Sequence, residues 1–334
     1  MVENTNRTHF IMENKYIKRK SNNLELYNVD KNGIPIAYSR TSVPIKTIDE
    51  LYILKKSYID SETIAYLADN NIVIHFNSRN QRYVGSFYPS GKNSVNKSGF
   101  VLLQQARAFD DEKHRLYIAK QITFGHFKNM LNNLKFYKIK NKVEEKIESL
   151  KNCKSINEIM GVEGSAKKEY YENWNKIINN QKSFKFVTRT RRPPADKINV
   201  LISYLNSRIY SICLSEIYKT ELDPRIGFLH EPNHRSLSLH LDIAEIFKPL
   251  IGDRVIFKLL NRNIIKDSHF EKDGILWKLT KDGIKIIELE IILKLSSIRY
   301  INDMKLNYRY IILKEINNLK RSIVEYTEYI PYSE

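Results

Sequence analysis

The first ninety residues carry their apolar side chains in short runs broken by Asn, Gly and Asp, the texture of strands and turns. Tyr16 to Lys18, Leu24 to Tyr27, Ile34 to Tyr38 and Ile72 to Phe76 are such β-type runs. One helix interrupts them. Ser61 stands at its cap position, Ile64, Ala65, Leu67 and Ala68 supply an apolar face, and Asn70-Asn71 ends it. A last strand over Arg82 to Pro89 leads into the polar stretch Ser90-Gly91-Lys92-Asn93-Ser94, where a domain boundary is expected. From Gly99 onward the apolar spacing becomes helical: Val101, Leu102, Gln105, Ala106 and Phe109 begin one helix, and Leu116, Ala119, Ile122 and Thr123 lie on another. The pattern predicts an α+β fold, with an N-terminal β-rich domain over residues 1–95 and a larger all-α domain over residues 96–334. The most apolar long run, Ile198 to Tyr218, contains Asn199, Asn206, Arg208 and Glu216, so it reads as a buried helix and not a membrane span. Met1 to Lys20 has no apolar core and is not a secretory signal.

Three stretches of the second domain carry polar groups that the periodicity alone does not explain. In Ile159 to Trp174 a helix would align Glu163, Ala166, Tyr170 and Trp174, so that an acid leads an aromatic, inward face. A buried carboxylate needs a partner or a metal; the plainer alternative is an acid near a helix N-terminus, favoured by the dipole. Gly161 and Gly164 flank it and would let another element approach closely.

The stretch from Arg225 to Pro249 places His230 in a turn and Asp242 and Glu245 downstream. Read as a helix from about Asn233 to Phe247, it puts His234, Ser238, Asp242 and Glu245 on one stripe, with Pro232 in the first turn and Pro249 as the stop. Ser236 to Ile243 also alternates as a strand would, but the run Ile243 to Phe247 breaks that alternation and favours the helix. An imidazole near two carboxylates is a mixed N/O donor set, suited to manganese or magnesium; a turn-capping His beside a solvated acidic face is the plainer alternative. Between these two stretches, Arg189, Arg191 and Arg192 lead into a stiff Pro193-Pro194, and Asp196 can cap the next helix. Guanidinium forks on a rigid loop suit phosphate oxygens.

Composition sharpens this picture. Lys and Arg total 55 against 38 Asp and Glu, a formal charge of +17, which points to a polyanionic partner, nucleic acid before an anionic membrane. Only Cys153 and Cys213 are present, too few for a disulfide framework or a zinc ribbon, and a reducing cytoplasm fits. A hydrophobic content of 42% over 334 residues supports a sizeable core.

Four motifs occur together and in order: Gly161 to Ala166, Arg191 to Asn199, Gly227 to His230 and Leu241 to Pro249. In that order and rough spacing the chain resembles the CRISPR-associated Cas1 proteins, the integrases that insert new spacers. The Ile72 to Phe76 strand, Tyr83-Val84-Gly85 and Gln105-Ala106 extend the resemblance over nearly the whole chain. It implies an N-terminal β domain, a helical catalytic domain holding one divalent cation, manganese or magnesium, and a homodimer that pairs with the small Cas2 protein. Glu163, His230 and Glu245 match the family's metal ligands, and Asp242 matches an acid near the metal. Ser165 stands where the family often has another small residue. Lys248 stands where it often has Arg, which keeps the charge but loses the bidentate fork. The implied reaction is attack of the 3′-hydroxyl of captured double-stranded DNA on the CRISPR repeat backbone, with water as nucleophile in simple cleavage. Arg189, Arg191, Arg192 and Lys248 are the expected DNA contacts. A non-catalytic DNA-binding subunit and an unrelated hydrolytic nuclease are the alternatives.

Overall fold

The computed structural model of the chain describes residues 8–77, 83–89, 99–179, 184–191, 193–232, 237–274, 276–301 and 303–334. The chain divides into two units, Met1–Lys97 and Ser98–Glu334.

The first unit holds strands β1 (Thr8–Ile11), β2 (Lys15–Lys20), β3 (Asn23–Asn28), β4 (Thr41–Pro44), β5 (Glu50–Ile53), β6 (Ser57–Ile59), β7 (Val73–Asn77) and β8 (Tyr83–Phe87), with helix α1 (Ser61–Asp69). They form two four-stranded sheets, ordered β1-β5-β7-β8 and β4-β3-β2-β6. β1, β5 and β7 run parallel, while β2, β3 and β4 pair antiparallel. Alternate residues of these strands build the core: Ile17, Leu24, Leu26, Leu51, Ile53 and Ile74 are buried together with Leu67 of α1.

Two expectations for this unit are corrected. Asp60, not Ser61, caps α1: its backbone is extended and its carboxylate accepts the Thr63 N–H at 2.7 Å, so Ser61 becomes the first helical residue and Ala65 faces outward. Ile34 to Tyr38 is not a strand. Pro35 makes only an isolated bridge with Val29, and Ala37–Ser39 coil into a single 3₁₀ turn, because proline has no N–H to give to a ladder. The expected linker after Ser90 lies outside the described residues.

The second unit is helical: α2 (Gly99–Asp110), α3 (Glu112–Phe136), α4 (Val143–Lys151), α5 (Ile156–Glu172), α6 (Trp174–Ile177), α7 (Lys197–Ile217), α8 (Leu239–Phe247), α9 (Arg254–Asn261), α10 (Lys281–Ser296) and α11 (Tyr308–Glu325). Two hairpins, β9 (Phe270–Asp273) with β10 (Leu276–Leu279) and β11 (Ile298–Ile301) with β12 (Met304–Asn307), flank α10. α7 is the apolar run read as a buried helix, and Asp196 caps it by accepting the Asn199 N–H at 2.8 Å. Among the described residues no helix is long and apolar enough to cross a membrane.

α3 is the central helix, packed against α4, α5 and α8. Its asparagines fasten the next feature. Pro249 does not stop the helix that α8 begins. Lacking an N–H, it opens the ladder into a π-turn over Pro249–Asp253, in which Asp253 N donates to Lys248 O at 3.0 Å, and α9 follows directly. Asn129 Nδ2 donates to Ile246 O at 3.0 Å and Asn133 Nδ2 to Pro249 O at 2.8 Å, supplying partners for carbonyls around the distortion. After α11, Tyr326 adopts a left-handed conformation and the chain runs extended, with Tyr329 buried and Pro331 packed against Gly125 of α3.

Candidate metal and nucleic-acid site

Three helices deliver ionisable side chains to one cavity of about 850 Å³. α3 contributes His126, which follows Ile122 and precedes Met130 at helical spacing. α5 contributes Glu163 and, one turn on, Lys167. α8 contributes Glu245, and Lys248 follows just beyond its end. His126 Nδ1 lies 3.5 Å from Glu245 Oε2 and 3.8 Å from Glu163 Oε1. Lys167 Nζ contacts Glu163 Oε1 and lies 3.0 Å from Glu245 Oε2, while Lys248 Nζ donates to the other Glu245 oxygen, Oε1, at 2.7 Å.

The electrostatics follow from burial and these contacts. Burial pushes the fully enclosed His126 down to about 3, against the attraction of Glu245, so its ring is neutral and keeps a lone pair. Burial also opposes the charge on Glu245, but Lys167 and then Lys248 outweigh it and hold that carboxyl well below the usual range. For Lys167 burial is likewise overcome, by Glu245 and Glu163, and its pKa rises. Asp253, on the π-turn, lines the same cavity; burial lifts its carboxyl to about 7 although the Tyr170 hydroxyl, bonded to it, pulls the other way.

His126 Nδ1, Glu163 Oε1 and Glu245 Oε2 are buried; the ring nitrogen has no hydrogen-bond partner, and the two carboxylate oxygens are met by the Lys167 ammonium at ion-pair distance. Each of the three residues offers a donor atom within 4.8 Å of the other two. One unpartnered ring nitrogen and two buried carboxylate oxygens that already hold a cationic group fit a hard divalent cation.

His230 reaches this cavity from a different direction. The turn Gly227 to His230 wraps the Asp242 carboxylate: Phe228 N and Leu229 N donate to Oδ2 at 2.6 and 3.1 Å, and His230 N donates to Oδ1 at 2.9 Å. The ring closes the arrangement, with Nδ1 2.8 Å from Asp242 Oδ1. Gly227 is required here, since a Cβ would stand 2.9 Å from Asp242 Oδ2 and from the Ser238 carbonyl carbon. Burial works against a charged His230, but the Asp242 bond and then its charge and that of Glu245 prevail and raise its pKa. With Nδ1 held, Nε2 is the nitrogen left for another partner, the usual carboxylate–histidine arrangement at metal sites.

Of the sequence-predicted residues, the structure brings Glu163 and Glu245 together, with Asp242 behind His230 and His230 on the cavity wall. The third member of the tight group, His126, is not among them; its spacing in α3 is that of an ordinary core position, and only a neutral imidazole among apolar neighbours could have flagged it. The stripe expected from Asn233 is corrected. α8 starts at Leu239, with Pro232 in coil, because Ser238 is engaged by the preceding loop: its N donates to Pro224 O at 3.0 Å and its Oγ bridges Gly227 N and Arg225 O. His234 lies outside the described residues. Gly161 and Gly164 admit no close neighbour either: both are exposed, and nothing lies within 4 Å of where a Cβ would stand.

The arginine loop divides. Arg189 is tied down, donating to Asn199 Oδ1 at 2.9 Å, Ser203 Oγ at 3.2 Å and the Thr190 carbonyl, so much of its fork is spent on holding the loop to α7. Arg191 is exposed at the cavity rim. Arg192 lies outside the described residues. Lys248 is buried on Glu245, with the Tyr210 ring 4.6 Å away.

Residues 9–290 match the profile of the family described as "CRISPR associated protein Cas1". The chain belongs to the Cas1 family. A CRISPR-associated endonuclease Cas1 of Thermodesulfovibrio yellowstonii is 36% identical over 337 residues, covering 97% of each chain. Among solved structures, a Cas1 protein from Thermotoga maritima superposes with a TM-score of 0.85 at 31% identity, covering 98% of this chain and 99% of that one. A casposase bound to its integration product gives a TM-score of 0.86 at 22% identity, covering 98% and 93%, a likeness of fold.

Proposed function

We propose that this Cas1-family chain is a divalent-metal-dependent DNA endonuclease and integrase of CRISPR adaptation, joining 3′-hydroxyl ends of captured duplex DNA to the repeat backbone. The observation that carries the reading is the convergence of two carboxylates and two imidazoles in a cavity rimmed by Arg189, Arg191 and Lys248. Glu163, Glu245 and His230 are assigned as ligands of manganese or magnesium, with His126 facing the same carboxylate oxygens and Asp242 fixing the His230 ring. A divalent ion held there would polarise a phosphodiester oxygen and acidify the attacking hydroxyl. Lys248 keeps Glu245 ionised and aimed. Arg191 contacts backbone phosphate, which positions a duplex without reading its sequence. The nucleophile comes from the substrate, and the family's homodimer, formed through residues 1–95, and its Cas2 partner complete the assembly in the cytoplasm.

The test is joining. A short duplex with free 3′-hydroxyls, given manganese, a repeat-bearing supercoiled plasmid and the Cas2 partner, should become linked to the plasmid. The same duplex with dideoxy ends should bind equally and not be joined. Nicking without joining under every metal and partner condition would favour a plain hydrolytic nuclease. Replacing Arg191 with Ala should weaken binding to any duplex and make the log–log dependence of affinity on salt shallower by about 0.9 for the one phosphate no longer neutralised.

A further inference from the structure

The two lysines of the site do different work, and the difference lies in which carboxylate oxygens they hold. Lys248 takes Glu245 Oε1, is 11% exposed, and lies against the Tyr210 ring. Lys167 takes Glu163 Oε1 and Glu245 Oε2, and these two oxygens are the ones that face His126 Nδ1. Its ammonium therefore stands among the atoms that could hold a cation, while that of Lys248 stands behind them.

We propose that Lys167 is a built-in counter-cation: its ammonium occupies the divalent-ion position between Glu163 and Glu245 and has to leave for the ion to bind, which sets the affinity of the site downward. The inference rests on the metal-site reading above.

An ammonium and a divalent cation cannot share the same two oxygens at such distances, since like charges a few ångströms apart repel strongly in a protein interior. Binding of the ion and bridging by Lys167 are thus alternatives, and occupancy by one lowers the apparent affinity of the other. Lys167 has the means to leave. Its side chain is 19% exposed, it lines the cavity, and it is carried on a flexible four-carbon stem. In return, the ammonium compensates two buried carboxylates whenever no ion is bound, and unpaired buried charges are strongly destabilising.

Manganese binding to the full-length chain, followed by the paramagnetic resonance signal of the free ion, tests this on wild type, Lys167→Met and Glu245→Gln. The expected result is that Lys167→Met binds manganese about tenfold or more tightly, melts lower than wild type without metal, and gains more in melting temperature when manganese is added. Lys167→Arg, which keeps the charge, should not show the tightening. Should Lys167→Met fail to fold, Lys167→Gln removes the charge while keeping a hydrogen-bonding head, and the same comparison is made with it. Equal or weaker manganese affinity in the folded, uncharged variant overturns the proposal while wild-type binding abolished by Glu245→Gln leaves the metal site standing. No manganese binding in any of the chains overturns both.

Discussion

The two units differ in how far their buried polar groups converge: Glu50 and His75 are buried in the first, but only the second gathers such groups around one cavity among the described residues. In the first, the core is a set of Ile and Leu side chains presented by strands whose alternation is visible residue by residue. In the second, a large apolar core also encloses His126, Glu163, Asp242, Glu245 and Lys248, brought from three helices and their flanks. An apolar core tolerates any neighbour of the right size, whereas a charged one works only with its specific partners. Substitutions should therefore act locally and by volume in the first unit, and through partners left behind in the second.

The largest effect is expected at the two carboxylates. Glu163→Gln and Glu245→Gln should each abolish cleavage and joining, as read on a labelled duplex, with the fold retained by circular dichroism. Both Glu245 variants should melt below wild type, since Lys167 and Lys248 lose a buried partner charge worth about 3–5 kcal/mol, and Glu245→Ala should melt lowest because the Gln amide oxygen still accepts from a lysine while a methyl cannot. Identical melting of the two variants would break the contrast between the units.

Next comes Asp242→Asn. One amide oxygen cannot serve three backbone N–H groups and an imidazole, so His230 should lose its orientation. Metal affinity and activity should fall by about 10- to 100-fold, less than at either glutamate. A variant as inactive as Glu245→Gln would mean that Asp242 itself holds the ion.

A third effect is a pH dependence away from the site. Glu315, fully enclosed, accepts from the Tyr329 hydroxyl and from Tyr332 N, and burial raises its carboxyl to about 7 despite those bonds. Its folded pKa exceeds the unfolded value of 4.5, so the stabilisation it provides is present below the lower value and is lost as pH rises through the upper one. Glu315→Gln should match wild type near pH 4.5 and exceed it at pH 8 by about 3 kcal/mol in urea unfolding. A difference independent of pH would mean that Glu315 titrates alike in the folded and unfolded chain.

The smallest effect belongs to the first unit. Asp60→Ala should cost about 1 kcal/mol through removal of the α1 cap, with metal affinity unchanged.

The same contrast decides what the sequence makes legible. Strands such as β2, β3 and β7 follow from local alternation, and α7 from its apolar run and Asp196 cap. Glu163 can be singled out because its spacing puts an acid on a face that ought to be buried, and Asp242 and Glu245 because they share one stripe downstream of a turn histidine. His126 cannot, since its partners come from α5 and α8 and nothing in α3 announces them. The start of α8 falls later than the local pattern places it for a related reason: Ser238 prefers a loop that the pattern does not contain. At Pro249 the general expectation of a stop fails because the asparagines of α3 provide for carbonyls that a free helix would leave open.

The π-turn carries a further consequence for sequence alignment and for chimeras. Such a turn is an α-helix with one residue inserted, and each inserted residue advances the helical wheel by about 100°. Everything from Arg254 onward is thus rotated relative to α8, and this rotation is what brings Arg254 Nε to Asn133 Oδ1 at 2.7 Å. A relative lacking the extra residue would align across residues 249–253 with a single gap that looks harmless. Grafting its α9 onto this scaffold would turn the helix by more than a quarter of a revolution and present the wrong face to α3.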